Sequence, residues 1–234
     1  MSTARTDRSS ITLHALRGAW LDLRGERVGV LPQRAIWLPA RAALIVADLH
    51  VGKGEAYRAL GVPMPEGLLD ETLERLGRLV ATSGATRVVV LGDLIHAPAG
   101  LTPAVRARVA SFLSALPATV ALVRGNHDRR IERLPAEWPI VAHDEPLDDP
   151  PFALVHHPAA HRDRYSIAGH LHPTMTLAGA GDAIRLPCFH FGPRIAVLPA
   201  FSRFSRGVPL SVEPGDRAFV VADEEVVEVP AGAA

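Results

Sequence analysis

Apolar residues recur along this chain in two rhythms. Short β-branched runs fill residues 42–47, 87–91, 119–123, 152–155, 165–168, 194–198 and 218–222. They lack the polar alternation of a strand with one face in water, which predicts strands buried on both faces. Between the first three runs the rhythm lengthens. Leu69, Leu73, Leu76 and Val80 recur at helical spacing, and Gly84 stands where that helix would stop. Val105, Val109, Phe112 and Leu116 repeat the pattern, with Thr102 placed to cap, Pro103 at the first helical position and Pro117 beyond the end. Alternating strands and helices predict βαβ units and an α/β core. Past about residue 140 strands dominate, which predicts a second, mixed or antiparallel sheet. Weak strand signals at 11–13, 28–31 and 36–38 predict an edge or hairpin. The acidic, proline-rich stretch 144–151 predicts a surface loop, and the tail 231–234 a frayed end. No repeat or linker interrupts the chain, so residues 1–234 read as one domain.

Composition sharpens this in a few places. At 234 residues and 48% hydrophobic content the chain can bury one sizeable core. Its 25 basic and 25 acidic residues cancel, so any nucleic-acid role must rest on local patches. Cys188 is the sole cysteine, which excludes an intrachain disulfide. Neither a signal peptide nor a membrane span is expected, and a reducing cytoplasm is the default location. Arginine supplies 24 of the 25 basic residues; Lys53 is the only lysine and Asn126 the only asparagine. Where a residue type is that rare, each instance invites a functional question.

The ends of the strands carry the chemistry. The run 42–47 leads into Asp48-Leu49-His50, the run 87–91 into Gly92-Asp93, and the run 119–123 reaches Gly125-Asn126-His127-Asp128. The run 152–155 ends in His156-His157, and the run 165–168 in Gly169-His170-Leu171-His172. Ligands of open α/β sheets bind at the carboxyl ends of strands, so these groups are expected to converge. Carboxylate, imidazole and amide oxygen together favour manganese, iron or zinc over calcium. Asp48-x-His50 and His170-x-His172 are expected to present paired ligands on one side of an extended chain. Nine of the eleven histidines lie between residues 50 and 172, a clustering that scattered surface histidines do not produce. Any one of these motifs alone could be a turn; five in succession argue for a metal site.

These motifs resemble the calcineurin-like metallophosphoesterases, whose pattern is D-x-H, G-D-x-x-(D or H), G-N-H-(D or E), a single His, then G-H-x-H. The resemblance implies two packed mixed β-sheets flanked by helices, a four-layer sandwich, and two divalent ions, with manganese preferred. It implies that Asp48, His50 and His172 hold one ion, that Asn126, His156 and His170 hold the other, and that Asp93 bridges them. His127 would then be the general acid, and His156 rather than His157 the ligand. The stretches 47–55, 62–67, 91–98, 187–189 and 196–204 are similar to DNA-ligase-associated metallophosphoesterases. That implies a nuclease or phosphodiesterase working in DNA repair with a ligase and a helicase.

His96 stands where protein phosphatases of this superfamily carry Asp, as in its double-strand-break nucleases, and could orient His127 or touch the phosphodiester. Lys53 and Arg129 are candidates for phosphate contact, with Arg130, Arg133, Arg162 and Arg164 as further loop arginines and Arg203 and Arg206 as weaker ones. His14, His143, His161 and His190 read as surface or satisfied core residues. Trp20, Trp37 and Trp138 read as packing, and Cys188 as buried and inert. Two other functions stay open: a hydrolase of small or cyclic nucleotides, and a metal-binding partner protein with little turnover.

Overall fold

The structure, a computed structural model, describes residues 17–179 and 182–230. Its strands form two mixed sheets. The first runs β1 (Ala19–Leu23), β2 (Glu26–Leu31), β3 (Ala35–Leu38), β4 (Ala43–Val46), β5 (Arg87–Leu91), β6 (Thr119–Val123) and β7 (Ile140–His143), in that order. β1 to β4 form an antiparallel meander and β4 to β7 are parallel. Parallel neighbours need long crossovers, and the helices fill them. Helices α1 (Lys53–Ala59) and α2 (Leu68–Ser83) join β4 to β5, and α3 (Pro103–Ala115) joins β5 to β6.

The second sheet holds β8 (Leu147–Asp149), β9 (Phe152–Leu154), β10 (Tyr165–Ala168), β11 (Pro173–Gly179), β12 (Asp182–Phe191), β13 (Ile195–Val197) and β14 (Val208–Pro209). Their spatial order is β14-β11-β12-β13-β10-β9-β8, and a hairpin of β15 (Arg217–Ala222) and β16 (Glu225–Val229) pairs with β12 through β15. β9, β10 and β13 are parallel.

Side-chain alternation explains why the strand runs are continuously apolar. Leu44 and Val46 of β4 join Leu76, Leu79 and Val109 in a core between sheet and helices. Ile45, one residue out of phase, joins Phe152, Phe189 and Phe219 in a core between the two sheets. Both faces are thus dry. Fully burying each such side chain contributes about 1.5–3 kcal/mol, which fixes the register. The outer face of the second sheet carries a smaller cluster around Met175, Cys188 and Val220.

Helix ends follow the expected chemistry. The Thr102 side chain accepts from the Val105 N–H at 3.3 Å, and Gly84 closes α2 in a left-handed cap at φ 69°. Leu113, rather than Phe112 or Leu116, supplies the third buried position of α3.

Some expectations change. No element is expected around Lys53, yet a helix begins there. Gly52 is the left-handed cap of α1 and Lys53 is its first residue; a helix of seven residues is too short to show a stripe. Residues 144–151 are more than a surface loop. They include β8, and the Asp149 carboxylate joins the two sheets by meeting Arg41 at 2.8 Å and Arg87 at 3.1 Å. The 28–31 and 36–38 signals do form a hairpin, β2–β3, as expected, and β1 outside it is the edge strand. The expectations for 11–13, His14 and 231–234 lie outside the described residues.

Candidate metal centre

The carboxyl ends of β4, β5 and β6 in one sheet and of β9 and β10 in the other point at one place. Backbone bonds stitch them together. Asp48 donates its N–H to the Gly92 carbonyl at 3.1 Å and His50 to that of Asp93 at 2.9 Å. Gly169 donates to His156 at 3.2 Å, while Phe201 and Ser202 donate to Ala47 and Asp48 at 2.7 and 3.2 Å.

The chain is not extended at the paired motifs. Asp48, His50, Asp93, His170 and His172 all hold left-handed backbone, with φ of 57°, 52°, 49°, 72° and 49°. Alternate left-handed residues, not a pleat, turn Asp48 and His50 inward together, and likewise His170 and His172. Left-handed backbone outside glycine costs roughly 1–2 kcal/mol per residue, and strain of this kind concentrates at functional sites.

The side chains converge in two overlapping groups. Ligand atoms of Asp48, His50 and His172 lie within 4.8 Å of one another, as do those of Asp48, Asp93 and His156. Asp48 Oδ2 accepts the His170 N–H at 3.0 Å, while Oδ1 faces His172 Nε2 at 3.3 Å. Asn126 Oδ1 lies 2.9 Å from His156 Nε2, and His170 Nδ1 lies 3.1 Å from that same nitrogen. Asp93 Oδ1 is 3.4 Å from His156 Nε2, placing Asp93 between the groups.

Asp48 Oδ1, His50 Nδ1 and His172 Nε2 are buried without a hydrogen-bond partner. A buried polar atom left without a hydrogen bond costs about 1–3 kcal/mol; Asp48 Oδ1 and His172 Nε2 face each other at 3.3 Å without bonding, and a cation held by these side chains would satisfy them. Second nitrogens are already committed. His156 Nδ1 donates to the Leu91 carbonyl at 2.9 Å and His172 Nδ1 to that of Arg206 at 2.9 Å, which frees each Nε2 lone pair for a metal. Burial, then the Lys53 charge, keeps His50 neutral by lowering its pKa well below the usual range. Burial also lowers His170. His172 goes the other way: burial opposes its charge, but the Asp48 carboxylate outweighs it and raises the pKa.

Glycine is required where strands meet side chains. Gly92 has φ 75°, and a Cβ there would fall 2.2 Å from His156 Nδ1. A Cβ on Gly125 would fall 2.3 Å from Asp93 Oδ1.

Beside the cluster, three rings stack in series. Tyr57 lies on His96 with centroids 5.5 Å apart, and His96 on His127 at 5.2 Å. His127 Nδ1 meets the His96 carbonyl oxygen at 2.5 Å, so the His96 main chain holds the ring against which its own side chain stacks. Burial, then Lys53 and His127, pushes His96 down to about 4.

Two carboxylates brace the site without joining it, and the sequence reading missed both. Asp128 is fully buried and accepts the N–H groups of Ile95 and Gly125 at 3.0 Å each, locking the turn that carries Asn126 and His127. Glu145 accepts the N–H groups of His156 and His157 at 2.8 and 3.0 Å and holds the His157 ring at 2.7 Å. The last position of G-N-H-D hinted at Asp128. Glu145 had no signal, sitting in a stretch read as loop. His157, half exposed, can join His156 and His170 in a third metal-capable group.

A cleft of about 610 Å³ opens over these residues, lined also by Lys53, Tyr57, Met64, Phe204 and Arg206. Burial lowers the Lys53 pKa against the pull of Asp48. Arg129 does not line the cleft; it faces Asp144 at 3.4 Å, and Arg164 faces Asp148 at 3.2 Å. The arginines that do are Arg203 and Arg206, two of the weaker candidates. His190 pairs with Asp216 at 2.7 Å and the His161 ring accepts two backbone N–H groups at 3.1 Å, so both are satisfied away from the cluster. Trp37 and Trp138 are buried in the core between helices and sheet.

A two-sheet α/β sandwich with acid and imidazole side chains gathered at its strand ends defines a metal-dependent phosphoesterase. The chain belongs to the calcineurin-like phosphoesterase family, which matches residues 42–193. It is similar to the crystal structure of the Pseudomonas putida nuclease MPE, 34% identical over 91% of this chain and 100% of that one, with a TM-score of 0.79. A protein of unknown function from Aquifex aeolicus is 19% identical over 56% of this chain and 78% of that one, at a TM-score of 0.39. Comparison with curated proteins gave no match. Among the described residues no helix is long and apolar enough to cross a membrane.

Proposed function

We propose that this chain is a two-metal phosphodiesterase that cuts nucleic-acid strands, with manganese as its working ion; iron and zinc suit the same donors. Asp48, His50 and His172 would hold one ion and Asn126, His156 and His170 the other, with the Asp93 carboxylate serving both. The observation that carries this reading is the trio of buried, unpartnered ligand atoms on Asp48, His50 and His172. Bound there, the ions supply positive charge that activates water and offsets charge on the phosphoryl oxygens.

The chain's own groups do the rest. His127 stands at the rim, its Nδ1–H held by the His96 carbonyl, so its other nitrogen, Nε2, is the one available to protonate the leaving oxygen. Stacking between Tyr57 and His127 makes His96 a positioning residue for that acid. Lys53, in the cleft wall, meets a phosphate oxygen. Arg129 would have to leave Asp144 to do the same. The nucleic-acid substrate is supported by the 34% identity to a nuclease and by arginines at the cleft. A place in DNA repair beside a ligase and a helicase is supported by the subfamily-like stretches in the sequence, and a reducing cytoplasm suits a chain with a single cysteine.

The test is hydrolysis of bis(p-nitrophenyl) phosphate and of single-stranded DNA with added manganese. The parent cuts both. Asp93→Ala loses about a thousandfold or more, and His127→Ala about 100- to 10,000-fold with metal binding retained. Cleavage of the small diester alone would shift the reading to a small-nucleotide hydrolase. No cleavage by a metal-loaded parent would sink the catalytic reading and favour a metal-binding partner protein.

A further inference from the structure

Two clefts lie side by side on this molecule. Arg203, Phe204, Ser205 and Arg206 form part of the wall of the metal-facing cleft. A second cleft, of about 620 Å³, lies between α2, the β2–β3 turn and the β15–β16 turn. Arg203 lines that one too, so the two are neighbours.

The second cleft gathers Arg34, Arg75, Arg78 and Arg203, three of which meet the carboxylates of Glu71 and Glu74. Arg34 donates to the Ala200 carbonyl at 3.2 Å and the Ser202 carbonyl at 3.0 Å, which supply dipoles but no full charge. Glu71 is shared, meeting Arg75 at 3.1 Å and Arg203 at 3.2 Å. Buried Arg75 keeps its Nε without a partner. Two carboxylates, Asp223 and Glu224, also line the cleft beside the β15–β16 turn, and Glu224 faces Arg17 at 3.0 Å. Burial, then Arg203, pushes Arg34 down to about 10, as expected of a cation crowded by like charge. Arg78 meets Glu74 loosely at 3.5 Å and is 70% exposed; Arg203 is 60% exposed. Next to Arg203 in the wall of the metal-facing cleft, Phe204 is 48% exposed, a large ring kept in water beside a site for phosphate.

We propose that segment 203–206 joins the two clefts into one track for a single nucleic-acid strand, Phe204 stacking a base beside the metals and Arg78 and Arg203 gripping a backbone phosphate further along. Arg34 and Arg75 supply the positive background. A cationic groove interleaved with an aromatic ring is the arrangement that binds single strands without reading sequence. The track rests on the phosphodiesterase reading for its direction, but its binding can be measured apart from any cleavage.

The experiment is fluorescence anisotropy of labelled oligothymidylates of increasing length, without metal, over a range of salt, on the parent, Arg78→Ala, Arg203→Ala, Phe204→Ala and Phe204→Trp. Parent affinity is expected to rise with length until the strand reaches the second cleft. Each arginine variant loses that rise and lowers the salt slope by about 0.7, the value for one phosphate on a single strand. Phe204→Ala weakens binding about tenfold, Phe204→Trp restores it, and an abasic strand does not distinguish parent from Phe204→Ala. Unchanged length dependence and salt slope in Arg78→Ala and Arg203→Ala would overturn the track. So would inorganic phosphate or a dinucleotide losing affinity in Arg78→Ala as much as the long strand does, which would mean a small-anion site. A parent that binds long strands by this pattern yet cuts no diester would refute the catalytic reading alone.

Discussion

In β4, β5 and β10 nearly every side chain is apolar and buried on both faces, in relaxed strand backbone. One or two residues beyond those strands, Asp48, Asp93 and His170 are polar, left-handed and crowded against one another. The strands gain free energy from burial; the rim loses it to backbone strain, to desolvated imidazoles and to ligand atoms without partners. Such a rim persists only because the layers beneath over-determine it. The division of labour is testable: a change in the strands should act on stability, and a change at the rim on metal and catalysis.

The largest effect expected on that contrast is from Phe152→Ala. This fully buried ring lies in the core between the sheets, and its loss should cost about 3–5 kcal/mol in denaturant unfolding. A cost below 1 kcal/mol would mean that the core does not carry the rim. Next comes the metal. Manganese at about a hundred times its dissociation constant should raise unfolding free energy by about 2.7 kcal/mol, and a chelator should remove the gain. Asp48→Ala should abolish this shift; if it persists, the ion binds elsewhere. A smaller effect is expected from His172→Gly in metal-free protein. Relief of left-handed backbone offsets the lost packing, so stability should stay within about 1 kcal/mol of the parent, while metal affinity falls. The smallest is no effect at all. Cys188 is buried, and burial pushes its thiol up to about 12, so a thiol reagent should not label it until denaturant unfolds the chain.

Legibility divides along the same line. Strands buried on both faces announce themselves as unbroken apolar runs, and β4, β5, β6, β9 and β10 stand where those runs are. The ligand candidates were legible because each follows such a strand. Lys53 and Asn126, each unique in the chain, both line the metal cleft. What stayed hidden had no local period. β11 passes from buried to exposed along its length and β12 from exposed to buried, so no single alternation marks them. α1 is too short to show a stripe. Glu145 and the second cleft are made by residues far apart in sequence, and only tertiary structure brings Arg34 to Arg203.

The pairing of Asp48 with His170 and His172 joins residues 122 positions and more apart, across both sheets. A chain emerging from the ribosome therefore owns only fragments of the centre until the G-H-x-H segment has been made and folded back. An ion held between Asp48 and His172 would therefore tie the two sheets together across residues that meet only in the folded chain.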